Sequence, residues 1–145
     1  MPLLRIDAYK GREPEEVKAL LDGVHRAVLA AFQVPERDRY QIYQEHTPST
    51  FVVEDTGLGI ERSPNTIVIS VTSRPRPVEQ KQAFYAKLVE ELAPCGVRPC
   101  DLVVSITIND DSDWSFGHGR AQFLTGELAT DSPRPLTPPR PEDSR

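Results

Sequence analysis

The chemical capacity of this sequence is concentrated at three separated places: Pro2, Asp38 and the run Ser73-Arg74-Pro75-Arg76-Pro77. A residue as small as Pro2 permits removal of Met1, and removal exposes a secondary amine. Such an amine is a base when neutral, an acid when protonated, and a nucleophile toward a carbonyl. An α-amino group titrates near about 7.7–8.0, so its neighbours set its state: guanidinium groups disfavour the protonated form and a carboxylate favours it. In the arginine run each Arg precedes a proline, which biases both toward extended backbone. Two residues apart on an extended chain, the side chains share one side. Paired guanidiniums bind a carboxylate through charge-assisted hydrogen bonds, and a helix opening at Pro77 adds a further positive end.

Each of these residues also has a plain structural reading. Pro2 suits the first position of a strand. The arginine run suits a solvated basic turn, and Asp38 suits a turn or cap. Elsewhere the signals are weaker. His25, His46 and His118 are scattered, and Cys95 and Cys100 lack further ligand pairs, so no metal site is expected. Asp111 and Asp113 resemble the start of a calcium loop, but Phe116 and Gln122 stand where its glycine and its bidentate glutamate belong. The glycine-rich stretch 116–120 lacks the strand-to-helix setting of a phosphate loop. Trp114, Phe116 and Phe123 read as core or subunit-contact aromatics, or as the wall of a pocket.

The elements that position these groups follow from periodicity. Pro2 to Tyr9 reads as a strand. Pro14 to Phe32 reads as an amphipathic helix with Val17, Leu20, Leu21, Val24, Val28, Ala31 and Phe32 on one face. Arg39 to His46 alternates as a second strand, and 47–65 reads as a long loop or a short extra ribbon. The grammar then repeats: a β-branched strand over Thr66 to Ser73, a helix from Pro77 carrying Phe84, Tyr85, Leu88, Val89 and Leu92, and a strand over Leu102 to Ile108. An offset of 64 aligns Leu3 with Ile67 and Arg12 with Arg76, and an offset of 63 aligns Asp38 with Asp101. The expected fold is therefore α/β (α+β): two pseudo-symmetric β-α-β units, 2–46 and 66–108, in a four-stranded mixed sheet with two helices on one face. An approximate two-fold axis would run the units antiparallel. Pro2, Asp38, Arg74 and Arg76 would then converge at one edge, while the opposite edge has mid-chain Thr66 in place of an amine. The uncovered sheet face calls for a partner, and three copies around an axis would bury it.

The chain has 145 residues, 17 Lys+Arg against 22 Asp+Glu, and 38% hydrophobic residues. That is one domain's worth of core, without a disulfide framework. The net charge of −5 argues against nucleic acid as partner. No apolar run is long enough to span a bilayer and no signal core opens the chain, so a cytoplasmic location is expected. Five of the 14 prolines fall in the last fifteen residues, where Leu136 is the one large apolar side chain. The expected folding unit is 1–130, with 109–130 as its C-terminal extension and 131–145 as a disordered tail. Because the tail is neutral, the acidity lies in the folded part and any anion site there must be local.

Beyond these readings, the sequence resembles the tautomerase superfamily, and within it the malonate semialdehyde decarboxylases. The segments PLLRIDAYKGR, VPERDRYQIYQEH, VEDTGLGI, SVTSRPRP, EQKQAFY and DWSFGHGRAQFLTGEL carry the resemblance in order over nearly all of 1–128. It implies a cofactor-independent homotrimer with Pro2 as catalytic amine, Asp38 as its acidic partner, and Arg74 and Arg76 as clamp for a small carboxylate substrate. Trp114, Phe116 and Phe123 would form a hydrophobic wall. The implied reaction is decarboxylation of a 3-oxo acid. The alternatives are a tautomerase or hydratase-dehalogenase acting on a small 2-oxo or unsaturated acid, and a non-enzymatic binding protein on the same scaffold. His118, between two glycines, departs from the larger basic residue expected there, and the proline-rich tail has no counterpart.

Overall fold

A computed structural model describes residues 1–128, so the tail expected at 131–145 lies outside the described residues. The chain divides into two compact units, Met1–Asp110 and one beginning at Asp111. The division falls just after the last main strand, within the segment 109–130 expected as a C-terminal extension.

The first unit runs β1 (Pro2–Tyr9), α1 (Pro14–Phe32), β2 (Tyr40–His46), β3 (Ile67–Ser73), α2 (Val78–Leu92) and β4 (Leu102–Ile108). The sheet order is β2-β1-β3-β4. β1 pairs with β2 and β3 with β4 in parallel, and the central pair β1/β3 is antiparallel. Strict alternation in β1 and β3 sends Leu4, Ile6, Ala8, Ile67, Ile69 and Val71 into one core with Leu20, Val24, Val28, Phe84, Leu88 and Leu92 of the helices. Each large side chain so buried contributes about 1.5–3 kcal/mol. The Phe32 and Phe84 rings meet at 4.8 Å between centroids. Gly23 lets α1 approach α2: a Cβ there would lie 3.0 Å from Leu92 Cδ2 and 3.2 Å from the Glu91 carbonyl.

Several boundaries and faces differ from the sequence reading. β2 and β3 each begin one residue later than expected, at Tyr40 and Ile67. Pro77 caps α2 instead of opening it. Tyr85 is exposed, because the α2 stripe narrows to Phe84, Leu88 and Leu92. Segment 47–65 contains no strand. It is a loop organised by Asp55, which accepts from the Gly57 and Gly59 N–H groups at 3.0 and 2.9 Å. Arg62 pins it by donating to the Glu54 and Cys100 carbonyls.

The repeat is present, but its register in the first strands is not 64. Leu3 lies on the open face and Ile67 in the core, and a two-fold axis through the sheet cannot exchange faces. A shift of 65 pairs buried with buried: Leu4 with Ile69 and Ile6 with Val71. The helix stripes match at 64, and the turns after the helices at 63. Met1, and not Pro2, is therefore the counterpart of Thr66. Among the described residues no helix is long and apolar enough to cross a membrane.

Candidate active site

The strand order brings three chain segments to one sheet edge. Pro2 is the register partner of Ser73, and Leu3 that of Tyr40, two residues beyond Asp38. The N-terminal amine, on Met1 in this structure, lies 3.7 Å from Asp38 Oδ2. Pro2 is buried and Asp38 only 5% exposed. Amine and carboxylate thus face each other where little water screens them, which strengthens their coupling. The turn delivering Asp38 closes when its N–H donates to the Pro35 carbonyl at 2.9 Å.

Arg74 and Arg76 leave β3 at the same edge, both half-buried. Arg76 is held at several points. Its Nη1 donates to the Phe32 carbonyl at 3.0 Å, its Nε donates to Ser73 Oγ at 3.3 Å, and its guanidinium carbon sits 5.0 Å from the Phe32 ring centroid. Ser73 Oγ in turn donates to the Arg74 carbonyl at 2.8 Å. Phe32 ends α1, where the carbonyls carry the negative end of the helix dipole, so charge and geometry agree. A guanidinium whose plane is fixed beforehand loses less freedom on gripping a carboxylate.

Pro2, Asp38, Arg74 and Arg76 thus lie along one edge. Sequence reasoning missed Ser73 and Phe32 as supports, because a contact between Arg76 and a backbone carbonyl 44 residues away leaves no local pattern.

The opposite edge holds the counterparts. Asp101 is fully buried. It accepts from the Ser63 N–H at 2.7 Å, the Ser63 hydroxyl at 2.5 Å, the Thr66 hydroxyl at 3.0 Å and Arg98 Nε at 3.4 Å. Burial pushes its carboxyl upward, but the Ser63, Thr66 and Arg98 hydrogen bonds outweigh burial and leave it below the usual carboxylate range. Arg12 donates to the Asn65 carbonyl at 3.0 Å. Burial pushes the nearby Cys95 thiol up, against the pull of Arg26 and Arg12.

Trp114, Phe116 and Phe123 belong to the second unit. Trp114 and Phe116 stack at 5.4 Å and 12°, and Phe123 meets Phe116 edge-on at 5.5 Å and 82°. Gln122 orders this loop by accepting from the Phe116 N–H at 2.9 Å and donating to the Gly117 carbonyl at 2.8 Å. The sequence had presented Gln122 only as a misfit to a calcium loop. His118 adopts a left-handed backbone, φ 59°, between two glycines of positive φ.

With this geometry in hand, comparison with known proteins defines the class. Two family models, each described as a tautomerase enzyme, match residues 38–117 and 2–60, and the chain belongs to this family. The probable tautomerase YrdN of Bacillus subtilis (strain 168) is 54% identical over 129 residues, 88% of this chain and all of the relative. A malonate semialdehyde decarboxylase, solved with attention to its decarboxylase and hydratase activities, superposes with TM-score 0.86 at 48% identity, covering 88% of this chain and 99% of its own. A fused 4-OT symmetric trimer shares the fold at TM-score 0.67 and 23% identity, over 81% of this chain and 94% of its own.

Proposed function

We propose that this protein decarboxylates a small 3-oxo acid, malonate semialdehyde to acetaldehyde and carbon dioxide, without a cofactor. The observation that supports this most is the shared edge: a chain terminus 3.7 Å from a buried carboxylate, beside a strand end that leads into a held Arg76. The 48% identity to a malonate semialdehyde decarboxylase supports the choice of substrate.

Removal of Met1 makes Pro2 the terminus. Its amine, kept cationic by Asp38, donates to the aldehyde oxygen; alternatively it gives its proton to Asp38, adds to the aldehyde carbon as the neutral amine and, with loss of water, becomes the iminium. Either way an electron sink forms two carbons from the carboxylate. Arg74 and Arg76 hold the carboxylate so that its bond to the α-carbon stands across the carbonyl plane. That bond breaks, its electrons enter the enol or enamine, carbon dioxide leaves, and a proton returns to the carbon; the enol gives acetaldehyde directly, and the enamine gives an iminium that water hydrolyses to acetaldehyde and the free amine.

The test is turnover of malonate semialdehyde. Pro2→Ala, Arg74→Ala and Arg76→Ala should each lose most of it, and full activity in all three would sink the site. Borohydride with substrate, followed by mass analysis of the N-terminal peptide, separates iminium from protonated carbonyl. The runner-up is proton transfer on a 2-oxo or unsaturated acid, supported by the likeness to a probable tautomerase at 54% identity. It calls for a neutral Pro2, so NMR titration of the amine distinguishes the two.

A homotrimer is proposed with this activity. Leu3, Tyr40 and Ile42 form an exposed apolar patch on the open face of neighbouring β1 and β2, with Ile42 half exposed. Light scattering that returned a monomer would remove this part.

A further inference from the structure

We propose that His25 is a positioning residue for Asp38, holding from beneath the turn on which that carboxylate stands. The inference rests on the reading of Asp38 as partner of the terminal amine. His25 belongs to the buried face of α1, among Gly23, Val24, Ala27 and Val28, and is 7% exposed. Its Nε2 lies 2.7 Å from the Glu36 carbonyl oxygen. A carbonyl only accepts, so Nε2 carries the proton and donates. Glu36 stands two residues before Asp38, inside the turn closed by the Asp38 N–H on Pro35. The imidazole thus fixes the middle of the turn to the helix, while the turn's own hydrogen bond fixes its end.

The second repeat shows what happens without it. The same turn forms there, with the Asp101 N–H donating to the Arg98 carbonyl at 2.9 Å. The counterparts of His25 and Glu36 are apolar Val89 and Pro99, which line a surface depression of about 200 Å³ with Tyr85, Leu102 and Val104. The fold therefore does not require an imidazole at this place on the helix. Asp101 is held directly through its carboxylate by Ser63, Thr66 and Arg98. At Asp38, whose carboxylate meets the amine, the backbone of the turn carries a tie to the helix that the Asp101 turn does not have. Such a tie sets the distance between carboxylate and amine, and displacements of about 1 Å in a reacting constellation cost up to about a hundredfold in rate.

The test uses the mature protein with Met1 removed, verified by intact mass, and two variants, His25→Leu and His25→Gln. His25→Leu should retain its fold by circular dichroism, yet its Pro2 amine, followed by NMR, should titrate at lower pH as Asp38 drifts away. Its kcat on malonate semialdehyde should fall about tenfold with KM within about twofold. His25→Gln keeps a donor at similar reach and should restore both. Wild-type titration and kcat in His25→Leu would overturn the proposal. Should His25→Leu fail to fold, His25→Gln decides: wild-type titration supports the tether, and a lowered one overturns it. The titration needs no substrate, so an inactive wild type would count against the decarboxylase reading alone.

Discussion

The two sheet edges carry the same turn and opposite uses of a carboxylate. Asp101 is surrounded by hydroxyl and amide donors from Ser63 and Thr66, ahead of β3, and by the guanidinium of Arg98 in its own turn, and it ties 63–66 to the start of β4. Asp38 stands at the counterpart position with the terminal amine before it. The arginines differ in parallel. Arg12 spends a guanidinium nitrogen on the Asn65 carbonyl, whereas Arg76 is braced from behind by Phe32 and Ser73. A duplicated scaffold thus uses one edge to tie its own segments together, while the other gathers a terminal amine, a buried carboxylate and a braced guanidinium.

Matched substitutions test that division most strongly. Arg76→Ala should reduce turnover by about a hundredfold or more, the scale of losing a charge-stabilising group, and Arg12→Ala should leave it within about twofold. Equal losses would erase the distinction between the edges. The carboxylates should behave in the opposite sense. Asp101→Asn puts an amide where Ser63 and Thr66 point donors, and should cost about 3 kcal/mol in urea unfolding with turnover per folded molecule retained. Asp38→Asn should spare stability and lower turnover.

Acid unfolding sharpens the same contrast. The folded Asp101 carboxyl lies below its ordinary value, so it contributes stability that is present above about pH 3.9 and lost as pH falls through its folded value. Asp7 shares the direction, because hydrogen bonds from His46 and Arg5 outweigh the upward push of burial. Asp22 is lowered to about 2 by hydrogen bonds from Lys18 and Arg39. Wild type should therefore lose stability steadily below pH 4, and the gap between wild type and Asp101→Asn should close over that range. A gap that stays constant down to pH 2 would mean that the Asp101 carboxyl is not lowered in the fold.

Much of this architecture was legible because period-two and period-3.6 patterns report burial, and burial is what β1, β3 and the two helices share. The repeat was legible as well, but matching Leu3 to Ile67 by type chose a shift of 64 where face parity requires 65. Side-chain likeness cannot see which face a strand residue points to, and a slip of one residue reverses it. The placement of Pro2, Asp38, Arg74 and Arg76 along one edge followed from topology alone. Their supports did not. Phe32 acts through a carbonyl, His25 through another, and Ser63 sits in a stretch with no periodic signal. The helix caps differ too: Glu13 and Glu16 form a reciprocal capping box on α1. Pro77 has no N–H to offer, and Gln80 Oε1 at the corresponding place on α2 is buried without a hydrogen-bond partner among the described residues.

The smallest expected effect comes from how the two helices end. α1 stops at Gln33 with φ 53°, its N–H donating to the Leu29 carbonyl at 3.1 Å. After α2 the counterpart is Gly96 with φ 78°. The left-handed conformation costs an L-residue about 1–2 kcal/mol, which glycine avoids while paying some unfolded-state entropy. Gln33→Gly should therefore stabilise the fold by about 0.5–1 kcal/mol. Because Phe32, whose carbonyl and ring hold Arg76, directly precedes this residue, the variant also probes the active edge. A gain in stability with unchanged KM would show that the helix end carries the strain and Arg76 does not depend on it. A gain accompanied by a raised KM would show that Gln33 helps to aim the Phe32 carbonyl.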